Sequence, residues 1–139
     1  MKQTESILTT ADGANLFVVE WLPDQPPAAN ILLVHGLGEH CGRYQHAAEF
    51  FTAAGVGVFS FDLRGHGKSD GVRGHSPSYD HIMDDIDGFL AGIAGRFPST
   101  PLFLYGHSLG GNIVLYHLIR RKPHLAGAVV TSPGLRTAE

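Results

Sequence analysis

The chain has few of the residues that mark extracellular, membrane or nucleic-acid-binding proteins. Cys41 is its single cysteine among 139 residues, which excludes an internal disulfide and fits a reducing compartment. A formal charge of −3 gives no general attraction to nucleic acid or to an anionic membrane. No apolar run approaches the roughly 20 residues of a membrane span, and the first ten residues lack the apolar core of a signal peptide. The sequence therefore predicts a soluble, cytoplasmic protein of one domain at most.

Short apolar runs and helical patterns alternate along the rest of the chain. Residues 6–10 and 16–21 predict a hairpin, because Asp-Gly lies between them. Continuous apolar runs predict strands buried on both faces, and these runs are residues 30–36, 56–61, 102–105 and 125–132. Helical patterns cover residues 43–54, the segment that starts at Ser76-Pro77, and residues 109–121. This order predicts an α/β fold with a mostly parallel sheet and an N-terminal antiparallel hairpin.

The clearest helix is expected to begin at Ser76 and Pro77, with serine as the cap and proline in the first position. Its apolar residues recur at three- and four-residue spacing, so one side should pack on a sheet. Four acidic residues lie off that apolar stripe, and they are Asp80, Asp84, Asp85 and Asp87. We expect them to form a solvated face rather than a metal site.

Residues 106–110 read Gly-His-Ser-Leu-Gly and lie between a predicted strand and a predicted helix. That context is what gives a Gly-x-Ser-x-Gly pattern its meaning, since small flanking residues permit a sharp turn that exposes the serine oxygen. The N-terminus of the following helix favours an anion, with the Leu109 N–H as one donor. The pattern predicts Ser108 as a nucleophile. A glycine-rich turn with an incidental serine is the alternative.

A second glycine-rich loop, "HGLGEH" at residues 35–40, follows the first buried strand. Ligands of open parallel sheets bind at the carboxyl ends of strands, where this loop should lie. Its Leu37 N–H is the candidate for a second oxyanion donor. An ordinary turn is the alternative for this loop taken alone.

Three segments resemble the α/β-hydrolase superfamily, and they are "HGLGEHCGRY" (35–44), "FDLRGHGKSDG" (61–71) and "YGHSLGG" (105–111). The first is the most specific to the monoacylglycerol lipase and lysophospholipase branch. The resemblance implies a three-layer core, Ser108 as the nucleophile, and Leu37 and Leu109 as backbone oxyanion donors. It also implies a small lipid substrate, a carboxyl ester with a fatty acyl chain. No cofactor or metal is expected, because the nine histidines lack the close paired spacing of zinc sites.

A serine nucleophile needs a histidine base and an acid, which in this fold follow it in the order acid, then histidine. After Ser108 the only carboxylate is Glu139, and no histidine follows it. His117 and His124 are expected to lie away from the serine. Three loop histidines, His35, His40 and His66, are predicted to brace their loops. His35 or His66 acting as the base stays open as an alternative.

The resemblance explains this lack, because family members continue into a lid and then into strands that carry the acid and the histidine. Residues 1–139 are therefore expected to be the N-terminal part of an α/β-hydrolase core, truncated before the lid and inactive alone. The expected partner of the open edge strand at residues 126–132 is either the missing C-terminal half or a second copy of the chain. A membrane surface is also an expected partner, contacted through the absent lid. Two other functions stay open. They are a different acyl hydrolase (short-chain esterase, thioesterase or peptidase) and a non-catalytic binding module.

Overall fold

The computed structural model describes residues 1–74 and 78–134. Its strands are β1 (Lys2–Thr9), β2 (Asn15–Leu22), β3 (Ala29–Val34), β4 (Val56–Phe61), β5 (Leu102–His107) and β6 (Gly127–Thr131). Its α-helices are α1 (Gln45–Ala53), α2 (Tyr79–Arg96) and α3 (Leu109–Arg121). Strands and helices alternate after the first hairpin, as the sequence pattern predicts.

The strands form one sheet in the order β1-β2-β4-β3-β5-β6. β1 pairs with β2 in an antiparallel hairpin, and β2 pairs antiparallel with β4. From β4 through β3 and β5 to β6 every pairing is parallel. The predicted fold class is therefore confirmed, and the carboxyl ends of β3, β5 and β6 meet at one edge of the sheet.

Helices cover both faces of this sheet. On one face, residues of α2 and α3 such as Ile86 and Ile113 pack with Leu32 and Val34 of β3 in the larger buried cluster. On the other face, Ala48 of α1 packs in a smaller cluster that includes the alternate β3 residues. This is the three-layer arrangement expected, and alternation along β3 sends its side chains to both cores.

The starts of two helices differ from the sequence prediction. A single helix is expected over residues 43–54. In the structure a 3₁₀ turn, Cys41–Tyr44, comes first and runs directly into α1. α2 begins at Tyr79 and is capped by Ser78, whose Oγ accepts a hydrogen bond from His81 N at 3.3 Å. Ser76 and Pro77, the predicted cap and first helical residue, lie outside the described residues.

The apolar sequence of β6 predicts a buried strand, and this prediction is wrong. It pairs with β5 on one side and has no second neighbour among the described residues, and Val129 is 43% exposed. A run of apolar residues is typical of a strand covered on both faces, but it does not show whether a covering element is present.

Candidate active site

The chain bends sharply at Ser108, between β5 and α3. This exposed residue has φ 57° and ψ −119°, a strained combination for any residue other than glycine. Ser108 N donates to Thr131 O of β6 at 2.9 Å, and His107 Nδ1 lies 2.8 Å from Thr131 Oγ1. These two contacts hold the bend, which presents the Ser108 side chain at the carboxyl end of the sheet.

The glycines on either side of Ser108 are required by close backbone contacts. A Cβ on Gly106 would lie 2.2 Å from Gly110 O, which is far inside the normal contact distance. A Cβ on Gly110 would lie 2.0 Å from Val34 O. The first turn of α3 therefore packs against the end of β3, and the Gly-x-Ser-x-Gly spacing has a steric cause.

The residues that follow β3 form a tight turn in contact with Ser108. Glu39 N donates to Gly36 O at 3.2 Å, and Gly38 has φ 71°, a conformation that favours glycine. A Cβ on Gly36 would lie 3.3 Å from Ser108 Cβ, so the turn and the serine are adjacent. We call residues 36–39 the glycine turn. The structure thus brings the turn that carries Leu37 to the bend that carries Ser108.

The backbone N–H groups at this edge include two that are candidates for binding a ligand oxygen, since neither donates to an acceptor among the described residues. One belongs to Leu37, inside the glycine turn, and the other to Leu109, the first residue of α3. The first N–H groups of any helix lack partners within the helix, and they carry its positive partial charge. The edge therefore offers donors to a negatively charged or carbonyl oxygen.

A cleft of about 170 Å³ opens beside these donors. Leu37 and Leu109 both line it, together with apolar side chains of α2 and α3 such as Ile82 and Ile113. Leu37 is 65% exposed, so this wall of the cleft is open to solvent in the chain as it stands. An apolar cleft next to free N–H groups can bind a ligand that has both a carbonyl and a hydrocarbon part.

The two buried loop histidines brace the backbone, as predicted. His35 Nδ1 lies 2.7 Å from Gly36 O, and its Nε2 accepts from Leu63 N at 2.9 Å. Since a carbonyl can only accept, Nδ1 carries the proton and the ring is neutral, in keeping with a pKa that burial holds below the usual value. His66 Nδ1 contacts Arg64 O at 3.1 Å in the same way. His40 is exposed, and no such bond is found for it among the described residues.

No described histidine forms a hydrogen bond with the Ser108 hydroxyl. His117, predicted to lie away from it, is fully buried and places Nε2 2.7 Å from Asp87 Oδ1, between α3 and α2. His124 is exposed beyond the end of α3. The described residues therefore supply the serine and the two N–H groups but no base in contact with the serine.

Two charged residues that organise the site were missed by sequence reasoning. Asp62, buried at the end of β4, accepts hydrogen bonds from Cys41 N at 2.7 Å and from Lys68 N at 2.8 Å. Arg64, also buried, donates to Asp85 through Nε at 2.7 Å and to Asp12 through Nη1 at 2.7 Å. The only signal in the sequence was their place in the Asp62–Gly71 part of a motif, which does not reveal their partners.

The prediction that all four acidic residues of α2 form a solvated face is wrong for Asp85. Asp85 is 4% exposed and receives two hydrogen bonds from Arg64, from Nε at 2.7 Å and from Nη2 at 2.9 Å. Asp87 is half-buried and binds His117 and Arg121. Helical periodicity places these residues off the apolar stripe, but it cannot show that an arginine from another loop reaches them.

Neither a metal site nor a membrane span is found in the part of the chain that the structure describes. Within residues 1–74 and 78–134, no group of three or more His, Cys, Asp or Glu side chains could hold a metal ion. Within the same ranges, no helix is long and apolar enough to cross a membrane.

Comparison with known proteins gives consistent matches in sequence. Residues 25–139 match the family model Hydrolase_4, described as serine aminopeptidase, S33. The chain is 36% identical over 126 residues to the monoglyceride lipase of Rattus norvegicus, which covers 91% of the chain and 42% of that protein. It is 33% identical over 133 residues to the monoacylglycerol lipase of Mycolicibacterium smegmatis, which covers 96% of the chain and 48% of that protein. The chain thus spans less than half the length of these relatives.

Solved structures give the same result. The monoacylglycerol lipase of Paleococcus ferrophilus superposes with a TM-score of 0.77 at 39% identity, covering 88% of this chain and 45% of that one. A soluble variant of the monoglyceride lipase of Saccharomyces cerevisiae superposes with a TM-score of 0.85 at 25% identity, covering 96% and 45%. The chain belongs to the Hydrolase_4 (S33) family of α/β-hydrolases.

Proposed function

We propose that this chain is the N-terminal part of a serine hydrolase core that cleaves carboxyl esters of the monoacylglycerol or lysophospholipid type. Ser108 is its nucleophile, and the Leu37 and Leu109 N–H groups form its oxyanion hole. The observation that carries the proposal is the strained, exposed Ser108 at the start of α3, in contact with the glycine turn. Relatives named as monoglyceride lipases favour the lipid ester as substrate.

In the proposed reaction, the Ser108 hydroxyl attacks the ester carbonyl and an acyl-enzyme forms as the alcohol leaves. The carbonyl oxygen becomes an oxyanion, which the two N–H groups stabilise. Loss of one such donor reduces the rate by about 10²–10³. The apolar cleft beside Leu37 and Leu109 would take the hydrocarbon part of the substrate. Water then hydrolyses the acyl-enzyme by the same route.

The Ser108 proton needs a base, and among the described residues no histidine forms a hydrogen bond with the serine hydroxyl. We expect the histidine and its acid to come from the portion of the relatives that this chain does not match. In that arrangement the histidine takes the proton from Ser108 and returns it to the leaving alcohol, while the acid holds the imidazole.

The test compares the 139-residue chain alone with the same chain supplied with the C-terminal portion of a monoglyceride lipase relative, covalently or in trans. The chain alone should show almost no turnover of a monoacylglycerol, since residual catalysis without a triad is only about 10³–10⁴ over water. The supplemented chain should turn over rapidly, and S108A should abolish this while S99A, at an exposed loop serine, should not. Rapid Ser108-dependent turnover by the chain alone would refute the expectation that the base comes from outside residues 1–139. Equal turnover by wild type and S108A would refute the nucleophile.

The same assay separates the alternative functions. The family model that matches residues 25–139 is described as a serine aminopeptidase, so an aminoacyl amide belongs in the substrate panel beside a lysophospholipid, a thioester and a short-chain ester. Preference for the amide would replace the lipid ester by a peptide substrate. A supplemented chain that hydrolyses none of them and does not react with a serine-directed phosphonate would be a binding module.

A further inference from the structure

The Glu39 carboxylate lies inside the glycine turn, next to the bend at Ser108. Its Oε1 accepts from Gly36 N at 2.9 Å and from the Tyr44 hydroxyl at 3.1 Å. A Cβ on Gly36 would lie 2.6 Å from this same oxygen and 3.3 Å from Ser108 Cβ. One residue, Gly36, therefore separates the carboxylate from the serine. The reaction proposed above gives Glu39 no role.

The hydrogen bonds around Gly36 fix the direction of the Leu37 N–H. The Gly36 carbonyl and the Leu37 N–H belong to one planar trans peptide unit, so they point in opposite directions. The carbonyl accepts from Glu39 N and from His35 Nδ1, which holds that unit from one side. The Glu39 side chain holds the preceding unit through Gly36 N. With both units held, the Leu37 N–H has one direction available.

The charge of Glu39 is balanced locally. Burial raises the pKa of this carboxyl, but the Gly36 N–H, the Tyr44 hydroxyl and Arg43 together hold it below its usual value, so Glu39 is ionised at neutral pH. Arg43 Nε, four residues later in sequence, lies 3.6 Å from Glu39 Oε2. An anion near a developing oxyanion is unfavourable, and the neighbouring guanidinium reduces that effect. We therefore expect Glu39 to act at this site as a hydrogen-bond acceptor for Gly36 N, and not through its negative charge.

We propose that Glu39 is a positioning residue of the oxyanion hole, which acts through the Gly36 N–H and the glycine turn to aim the Leu37 N–H at the oxyanion. This inference rests on the proposed function. It predicts that the acceptor oxygen at residue 39 is needed for the rate of reaction, while the negative charge is not.

The experiment compares E39A and E39Q in the supplemented chain described above, with a monoacylglycerol as substrate. E39A should lower kcat about tenfold or more, because small displacements of catalytic groups cost up to about 10² in rate, and KM should change less than about twofold. E39Q keeps an acceptor for Gly36 N and Tyr44, and should restore kcat to within about threefold of wild type. E49A, at an exposed glutamate of α1, should leave kcat unchanged.

A second measurement follows the Gly36 amide by hydrogen exchange, which does not depend on turnover. Exchange should accelerate in E39A and return toward the wild-type rate in E39Q, since a freed N–H is no longer held by the carboxylate. Wild-type kcat in E39A, with turnover still abolished by S108A, would overturn this inference alone. Unchanged exchange of Gly36 in E39A would also overturn it. Turnover that is indifferent to S108A would refute the proposed function, and this inference with it.

Discussion

Substitution of Gly110 by alanine should damage both the rate and the fold, and the structure gives the size of the effect. The new Cβ would lie 2.0 Å from Val34 O and 2.6 Å from His35 O, whereas real Cβ contacts essentially never fall below 3.0 Å. The start of α3 must therefore retreat from β3 by roughly 1 Å. A displacement of that size at catalytic groups costs about 10²-fold in rate, and overpacking of this kind costs about 1–3 kcal/mol of stability.

The matched control is Gly92→Ala, in the exposed middle of α2, where an added Cβ meets no atom within 4 Å. Alanine there should stabilise the protein by about 0.5–1 kcal/mol, because glycine is a poor helix former. Both variants are measured by thermal unfolding of the chain and by monoacylglycerol turnover of the supplemented chain. A Gly110→Ala variant with the wild-type rate and the wild-type unfolding temperature would show that α3 does not depend on this close contact.

Four further outcomes are expected. In the supplemented chain, Leu109→Met should keep most activity while Leu109→Pro, which lacks the N–H, should lose about 10²–10³ in kcat; equal activity of the two would remove Leu109 from the oxyanion hole. Asp85→Ala should lower the free energy of unfolding by about 3 kcal/mol, because it leaves a buried guanidinium with one half-exposed partner, and a chemical denaturation midpoint equal to wild type would contradict this. Burial lowers the pKa of His35 below its ordinary value of 6.5, so below pH 6.5 the unfolded chain binds more protons than the folded chain. The free energy of unfolding should therefore fall as the pH falls below 6.5. A His35→Gln variant with the same pH dependence would show that His35 is not the cause. The 139-residue chain should self-associate or exchange segments through the open edge of β6. A single monomeric species in sedimentation velocity would refute this prediction.

The parallel sheet could be predicted because its signals are local. The Asp-Gly between β1 and β2 predicts a hairpin, and apolar runs over β3, β4 and β5 predict buried strands. Ser108 could be singled out because its glycines are at fixed spacing in the sequence. Each of these inferences uses neighbouring residues, whose relation follows from backbone geometry alone.

Other parts of the site depend on residues far apart in sequence. Arg64 binds Asp85 and Asp12, 21 residues later and 52 residues earlier. Asp62 holds the N–H of Cys41, 21 residues earlier. Nothing in the composition near either residue indicates these partners, because a charged side chain in a loop is most often solvated. The exposure of β6 could not be predicted for a related reason, since apolar content does not show which elements cover a strand.

The strained bend at Ser108 has a consequence for protein engineering. The five residues Gly-His-Ser-Leu-Gly are contiguous, but the atoms that define their shape are not. Val34 O limits residue 110, and Thr131 O holds the Ser108 N–H from another strand. A designer who transplants the pentapeptide into a different strand-to-helix junction would move the letters without the two flanking strands that hold the backbone at a positive φ. Such a graft should relax to an ordinary turn, and the portable unit is the set of three parallel strands, β3, β5 and β6, with the helix that starts against them.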